Sequence, residues 1–406
     1  MGPLNHLQVL DLSRVLAGPW CGQNLADLGA KVIKVERPGI GDDTREWGPP
    51  YLKDEKGHDT AEAAYYLAMN RNKQSITVDI STPEGQEIIR GLAAKSDIVI
   101  ENYKVGQLKK YNLDYESLKK LKPDLIYCSI TGFGQTGPYA KRAGYDFIVQ
   151  GMGGFMSVTG ERDDLPGGGP QKAGVAIADV FSGMYATSSI LAALVHRDKT
   201  GEGQSIDIAL LDVQVAIMAN MASNFLSTDT PPKRWGNAHP NIVPYQTFQT
   251  SDGWMIVAAG NDSQYRKFVE AGGETSLAKD PRFLTNPQRV KERTTLVPLL
   301  SEMTKKKTKE EWIRLLETAG VPCGPINDLA EVFENEQVIA REIKQTISHP
   351  TAGKVELVAS PMRLSKTPAT IRSAPPTLGQ HTNEILESQL GIDQETIVEL
   401  RNKKII

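Results

Sequence analysis

Three times within the first 130 residues, a helical pattern leads into a short strand-like run. Trp20 to Leu28 leads to Lys31–Glu36, Pro83 to Lys95 leads to Asp97–Glu101, and Tyr115 to Leu121 leads to Leu125–Ile130; a further strand, Leu7–Leu12, comes first. Strands alternating with helices pair in parallel, because each helix supplies the crossover that parallel neighbours need. Such a sheet is covered on both faces. Leu7 to Glu36 is therefore a βαβ unit. Its turn, Ser13-Arg-Val-Leu-Ala-Gly-Pro19, lacks the spaced glycines of a dinucleotide fingerprint, which argues against a nicotinamide oxidoreductase.

A length of 406 residues suffices for two or three domains. From Gly132 the texture changes to glycine-rich loops, Gly132-Phe-Gly-Gln-Thr-Gly-Pro138, Gly151-Met-Gly-Gly154 and Gly167-Gly-Gly-Pro170. Long irregular loops of this kind are often functional. One helix is expected after Asp179, near Val180 to Leu194, and another over Leu210–Phe225. The polar linker Ser227–Pro232 opens a smaller domain with a strand at Trp254–Ala259 and helices near Gln264–Glu270, Thr294–Thr304 and Lys309–Ala319. The expected organisation is a large α/β domain over 1–226, a small domain over 227–330, and a C-terminal part, 331–406, returning to the large one. That last part reads as a strand at Lys354–Ala359, a proline-rich tract, and helices around Asn383–Gln389 and Gln394–Lys403.

A net charge of −3 provides no basic field for nucleic acid or an anionic membrane. The cysteines Cys21, Cys128 and Cys323 are too sparse for a disulfide framework, and the histidines show no metal spacing. No uninterrupted apolar stretch is long enough to suggest a bilayer span, and the first residues lack a signal-peptide pattern. The expected location is cytoplasmic, or an organellar matrix if a presequence has been removed. No metal, nucleic acid or membrane is expected as a partner.

Chemistry points first to Asp179, a single carboxylate in the apolar run that extends from Gly174 to Tyr185. A lone charge among aliphatic neighbours is costly unless compensated. Two readings are compatible: a helix N-cap whose carboxylate accepts backbone N–H bonds, and a nucleophile in a partly dry pocket. Arg37 after the second strand, and Lys104 and Lys110 after the strand ending at Glu101, suit a phosphorylated ligand at the carboxyl ends of the strands. There is no Gly-x-Ser-x-Gly elbow and no Walker loop.

Several motifs carry a family resemblance. They are Leu10-Asp-Leu-Ser-Arg-Val-Leu-Ala-Gly-Pro19, Leu28-Gly-Ala-Lys-Val-Ile-Lys-Val-Glu-Arg-Pro-Gly39, Asn70-Arg-Asn-Lys-Gln-Ser75, Glu101-Asn-Tyr103, Gly132–Pro138, Ala143-Gly-Tyr-Asp146, Gly174–Asp179 and Leu378-Gly-Gln-His-Thr382. Together they resemble the family III CoA-transferases over essentially the whole chain. Gly41–Pro50 and Lys233–His239 with Ile242–Gln246 are similar to members that move CoA from succinyl-CoA to glutarate-like dicarboxylates. The resemblance implies a large Rossmann-like domain built from N- and C-terminal parts, a smaller inserted α+β domain, and an interlocked homodimer. It implies acyl-CoA and a free carboxylic acid as substrates, with no permanently bound cofactor. It also implies Asp179 as the nucleophile, passing through a mixed anhydride and an aspartyl-CoA thioester.

For CoA, the resemblance implies Val15 and Ala17 at the pantetheine and oxyanion region, and Arg37, Val78 and Ile80 at the adenine. It places Asn102, Tyr103, Lys104 and Lys110 at the ribose and phosphates, and Tyr145 and Asp146 near the reacting centre. Leu16 stands where the formyl-CoA enzyme has glutamine, so backbone N–H groups must serve the oxyanion here. Arg45, Arg234 and His239 are candidates for the distal carboxylate of a diacid, since arginine pairs bidentately with carboxylates. The competing readings are an α-methylacyl-CoA racemase and a non-catalytic CoA-binding protein. The racemases have a histidine base where this chain has Tyr145, and tyrosine, with an ordinary pKa of about 10, is a poor base near neutrality.

Overall fold

The computed structural model describes residues 2–406. Contacts divide the chain into two units. The larger runs to Phe155 and resumes over Ala173–Ala219 and Glu336–Ile406; the smaller comprises Met156–Lys172 and Asn220–Asn335. Met156–Lys172, expected in the large domain, thus joins the smaller unit. Its ties are remote in sequence: Arg234 donates to the Ser157 carbonyl at 3.2 Å, and the Gly236 N–H to Gly160 at 3.1 Å.

The larger unit holds a six-stranded parallel sheet. Its strands are β1 (Gln8–Asp11), β2 (Lys31–Glu36), β3 (Lys73–Thr77), β4 (Ile98–Glu101), β5 (Ile126–Thr131) and β6 (Ser205–Ala209), in the order β3-β2-β1-β4-β5-β6. All six come from the N-terminal part of the unit; the C-terminal part returns with a two-stranded antiparallel hairpin, Lys344–His349 and Gly353–Val358, and with helices. The expected β1, β2, β4 and β5 are present within a residue or two. The edge strands β3 and β6 are additional, because Lys-Gln-Ser-Ile-Thr and Ser-Ile-Asp-Ile-Ala carry polar residues that mask the apolar signal. The strand order reverses between β1 and β4, so their carboxyl ends open a crevice there.

The helices used below are α1 (Ala17–Asp27), α2 (Pro83–Ala93), α3 (Asp146–Met152), α4 (Ile177–Thr200), α5 (Thr382–Leu390) and α6 (Gln394–Asn402). Alternate strand residues face opposite sides. Val9, Ile98 and Ile100 join Leu25 of α1 and Ile190 of α4 in one core. Leu10, Ile33 and Val99 join Ile89 of α2, Leu386 of α5 and Ile397 of α6 in the other. Helix α4, with 24 residues, is long and apolar enough to cross a membrane by length and composition, a feature the sequence reading did not find. In this fold it is a core helix, with Ala178, Ala186 and Ile190 buried on its inner face. The helix expected over Leu210–Phe225 is instead two, Leu210–Ala216 and Ala219–Thr228, with Ala219, the first residue of the second, in the left-handed region at φ 44°.

The Leu378–Thr382 motif covers the open edge of the sheet. The Ser75 N–H donates to His381 Nδ1 at 3.2 Å and the Thr77 N–H to Thr382 Oγ1 at 3.0 Å. An edge strand left bare would offer these groups to another chain.

Charged groups are buried across β1 to β3, where Asp11 ends β1, Lys34 lies within β2 and Lys73 begins β3. Lys73 Nζ donates to Asp11 Oδ2 at 3.0 Å, to the Pro19 carbonyl at 2.8 Å and to Asn70 Oδ1 at 3.0 Å. Lys34 Nζ donates to Asp42 Oδ2 at 2.8 Å and to the Ser13 carbonyl at 3.0 Å. Burial alone would raise the Asp11 carboxyl, but Lys73 and Lys34 outweigh it and hold it below the ordinary range. Burial pulls Lys73 down to about 8 against the opposing pull of Asp11. Helix α1 fits over these charges because Gly22 has no side chain; a Cβ there would stand 2.7 Å from Asp11 Oδ2.

The smaller unit has its own antiparallel sheet of β7 (Tyr245–Gln249), β8 (Trp254–Ala258) and β9 (Cys323–Pro325), with β8 central. The expected helices are present at Asp262–Ala271, Arg293–Thr304 and Lys309–Ala319. Phe248, Phe268 and Trp312 pack at its centre, with Trp312 Nε1 donating to the Thr304 carbonyl at 2.7 Å.

Removing one partner of a buried ion pair leaves the other charge uncompensated. Lys73→Ala is therefore expected to lower the unfolding free energy of the larger unit by about 3–5 kcal/mol, measured by denaturant titration.

Candidate functional site

The first βα turn is held from below by Asp42. The Val15 N–H donates to Asp42 Oδ1 at 3.2 Å, while Lys34 neutralises the same carboxylate. Val15 has φ 72°, a left-handed conformation that a β-branched residue avoids. Asn102, at the end of β4, clamps the turn from the side. Its Oδ1 accepts from the Arg14 N–H at 3.0 Å and its Nδ2 donates to the Arg14 carbonyl at 2.6 Å. The turn then enters α1, whose first N–H groups have no intrahelical partner.

Helix α4 brings Asp179 to this turn. Gly183 lies one helical turn beyond Asp179, and a Cβ on it would stand 2.7 Å from the Ala17 carbonyl oxygen and 3.0 Å from Trp20. Only glycine permits that approach. Asp179 lies in the first turn of α4 rather than at its N-cap, which is Ala176. The expected capping role belongs to Asp146, whose Oδ1 accepts from the N–H groups of Ala178 at 2.8 Å and Asp179 at 3.3 Å. Gln150 Nε2 holds the other Asp146 oxygen at 2.6 Å. Gly144 lets the preceding Ala143–Tyr145 segment lie against Gly132; a Cβ on Gly144 would be 2.5 Å from the Gly132 Cα. Asp179 is partly open to the pocket but otherwise surrounded by protein. Burial, with the Asp146 charge added, raises its carboxyl to about 7.

Asp179, Val15, Leu16, Ala17, Tyr103, Lys104 and Tyr145 line one cavity of about 260 Å³. Asn102 lines it too, but both ends of its amide are engaged by Arg14. Arg37, Val78 and Ile80 line a second cavity of about 340 Å³. The two share Arg14, Asp43, Tyr103 and Gln107 in their walls. These cavities sit at the carboxyl ends of β1 and β4, where the strand order reverses.

Other expected residues stand elsewhere. Lys110 is exposed and lines neither cavity. Arg45 is corrected to a structural role: it is buried, pairs bidentately with Glu36 at 2.7 and 2.8 Å, and lies 3.6 Å over the Tyr66 ring. Arg234 and His239 belong to the smaller unit. Arg234 is paired with Asp163. His239 Nδ1 accepts from the Asn241 N–H at 3.0 Å, and burial with nearby Arg293 lowers its pKa. None of these three has the free cation expected for a substrate carboxylate. Sequence reasoning passed over Asp42, which acts on a turn 27 residues earlier, and Arg142, which lines the Asp179 cavity stacked over Phe133 and Tyr139.

Comparison with known proteins bears on this arrangement. The family model for CoA-transferase family III matches residues 4–382. The chain is 50% identical to a succinate–glutarate CoA-transferase from Agrobacterium fabrum, covering 95% of each chain. It is 44% identical to a human succinyl-CoA:glutarate CoA-transferase, covering 100% of this chain and 90% of that one. The crystal structure of a CAIB/BAIF family protein from Brucella suis is 51% identical and superposes with a TM-score of 0.84, covering 96% of this chain and 99% of that chain.

Gly183→Ala is expected to displace Asp179 from the turn and reduce turnover by about 10²-fold, read by steady-state kinetics beside a thermal melt. A carboxylate raised to about 7 is protonated below that pH. A reaction that needs Asp179 ionised therefore gains rate as pH rises and levels off above 7. Asp146→Asn keeps an acceptor for the α4 N–H groups but removes the repelling charge. Its pH–rate inflection is expected at lower pH than that of the wild type.

Proposed function

The chain belongs to CoA-transferase family III, and on that premise we propose that it moves CoA from succinyl-CoA to glutarate or a similar dicarboxylate, with Asp179 as the nucleophile. As a member of that family it is an enzyme that transfers CoA between an acyl-CoA thioester and a carboxylate. The observation that carries the mechanistic reading is the shared cavity of Asp179 and the Val15–Ala17 turn.

The proposed cycle balances without a net proton. The Asp179 carboxylate attacks the succinyl thioester carbonyl and the C–S bond breaks, giving a mixed anhydride and CoA thiolate. The thiolate attacks the aspartyl carbonyl, releasing succinate and leaving aspartyl-CoA thioester. The acceptor carboxylate attacks that thioester and expels the thiolate, forming a second anhydride. The thiolate then takes the acceptor acyl group and frees Asp179. Each attack places negative charge on a carbonyl oxygen, and the unpaired N–H groups opening α1 are suited to meet it. Leu16 contributes only its backbone. Lys104, Arg14 and Arg37 provide cations along the two cavities for the phosphates of CoA.

A racemase needs an imidazole at the reacting carbon. Among the described residues no histidine lines the Asp179 cavity, and Tyr145, which stands where the resemblance puts the racemase base, lies in its wall. The relatives named above, a succinate–glutarate and a succinyl-CoA:glutarate CoA-transferase, support that choice of substrates.

We further propose a homodimer, interlocked as the family resemblance implies. Apolar side chains left exposed on the larger unit support a second copy as their cover: Phe147, Ile148 and Met152 of α3, and Phe181, Tyr185 and Val195 of α4. Sedimentation is expected to give a native species of twice the chain mass, with no folded monomer on dilution.

The direct assay combines purified protein, succinyl-CoA and a panel of free acids, with acyl-CoA products read by mass. Glutaryl-CoA is expected from the wild type, with a loss of at least ~10³-fold in Asp179→Ala. Transfer surviving in that variant removes Asp179 from its role. A wild type that binds CoA but transfers nothing leaves a CoA-binding protein.

A further inference from the structure

Two buried arginines lie four residues apart in the smaller unit, and their surroundings differ. Arg289 is satisfied throughout: Nε donates to the Val243 carbonyl at 2.7 Å, Nη1 to Phe283 at 3.0 Å, and Nη2 pairs with Asp262 at 2.8 Å. Arg293 is 7% exposed and has no carboxylate partner among the described residues. Its Nη2 donates to the carbonyls of His239 and Pro240 at 2.7 and 2.8 Å, while its buried Nη1 has no acceptor. A buried guanidinium with neither a counter-charge nor a full set of acceptors is costly. Its neighbours add positive charge. Arg293 lies 4.2 Å over the Trp235 ring, and Arg162 lies 5.8 Å from the same ring. Arg162 is itself partly neutralised by Asp164 at 2.6 Å.

Arg293, Arg162 and Trp235 line a cavity of about 370 Å³ within the smaller unit, within the size range of small-molecule sites. Val297 and Pro298 supply an apolar wall, Gln246 lies on its polar side, and Glu161 is engaged by the Arg162 N–H at 2.8 Å. We infer that this cavity binds a small organic carboxylate, whose charged group is held by Arg293 and Arg162 and whose methylene chain lies on Trp235 and the apolar wall. The apolar wall and indole favour an organic acid over an inorganic anion. The choice of glutarate as the probe rests on the function proposed above; the binding site itself rests on the orphaned arginine.

Calorimetric titration of glutarate into the full chain without CoA provides the test. Binding is expected in the wild type and in Asp179→Asn. It is expected to weaken at least tenfold in Arg293→Gln. Ala238→Leu, which fills the cavity without touching the bonds of Arg293, is expected to weaken it as strongly and decides the matter if Arg293→Gln fails to fold. Glutaramide, lacking the charge, is expected not to bind. Wild-type affinity in Ala238→Leu, or competition by sulfate equal to that by glutarate, overturns the inference. Glutaryl-CoA formation with no cavity-dependent binding defeats this site alone, whereas cavity-dependent binding with no CoA transfer defeats the proposed function alone.

Discussion

The pairing of Lys34 with Asp42 is the interaction on which the candidate site depends. It lets a carboxylate remain charged in the protein interior, and that carboxylate holds the Val15 N–H while Val15 occupies a left-handed conformation. Without a fixed acceptor below the turn, a valine would relax to extended backbone. Lys73 and Asp11 do the same work one strand over, with Ser13 donating to Asp11 and Lys73 reaching the Pro19 carbonyl at the start of α1. The turn is therefore fastened at both ends to the sheet. Buried ion pairs are weak sources of net stability; here their consequence is geometric.

Asp179 shows the opposite use of a buried charge. Burial disfavours its ionised form, and the Asp146 carboxylate that anchors its helix repels it. The same Asp146 contacts that orient Asp179 thus make it reluctant to ionise. A carboxylate poised near neutral pH is more nucleophilic than one stabilised by pairing, provided enough of it is ionised. The structure separates two tasks: paired charges fix the turn, and the unpaired charge lies against it.

Much of the fold was legible because apolar runs and helical periodicity are local. β1, β2, β4 and β5 announce themselves as such runs, and Asp179 stands out as a charge among aliphatics. The edge strands β3 and β6 do not, since their polar residues can be satisfied by partners far along the chain, as the Ser75 hydroxyl accepts from the Gly379 N–H. The motifs that marked the family also acquire physical reasons. Lys34, Glu36, Asn70 and Lys73 form the buried network, Gly144 allows a backbone crossing, and Leu378–Thr382 seals an edge. What remained hidden was partner choice. Arg45 has the chemistry to hold a substrate carboxylate, but Glu36 lies within reach and claims it. Arg293 looks like any helical arginine, and only the fold reveals that its Nη1 has no acceptor. Helix α4 likewise begins at Ile177 because Asp146, 33 residues before Asp179, caps it.

Isotope transfer tests the central claim, that the Asp179 carboxylate carries the acyl group, most directly. Wild-type protein would turn over succinyl-CoA with glutarate labelled with oxygen-18 in its carboxylates, and the peptide containing Asp179 would be weighed and fragmented. In the proposed cycle the second anhydride retains an acceptor oxygen, and cleavage by thiolate leaves that oxygen on Asp179. Heavy oxygen is therefore expected in the Asp179 side chain, increasing over successive turnovers. Sustained turnover that leaves Asp179 unlabelled contradicts the account, whether or not another residue acquires the label.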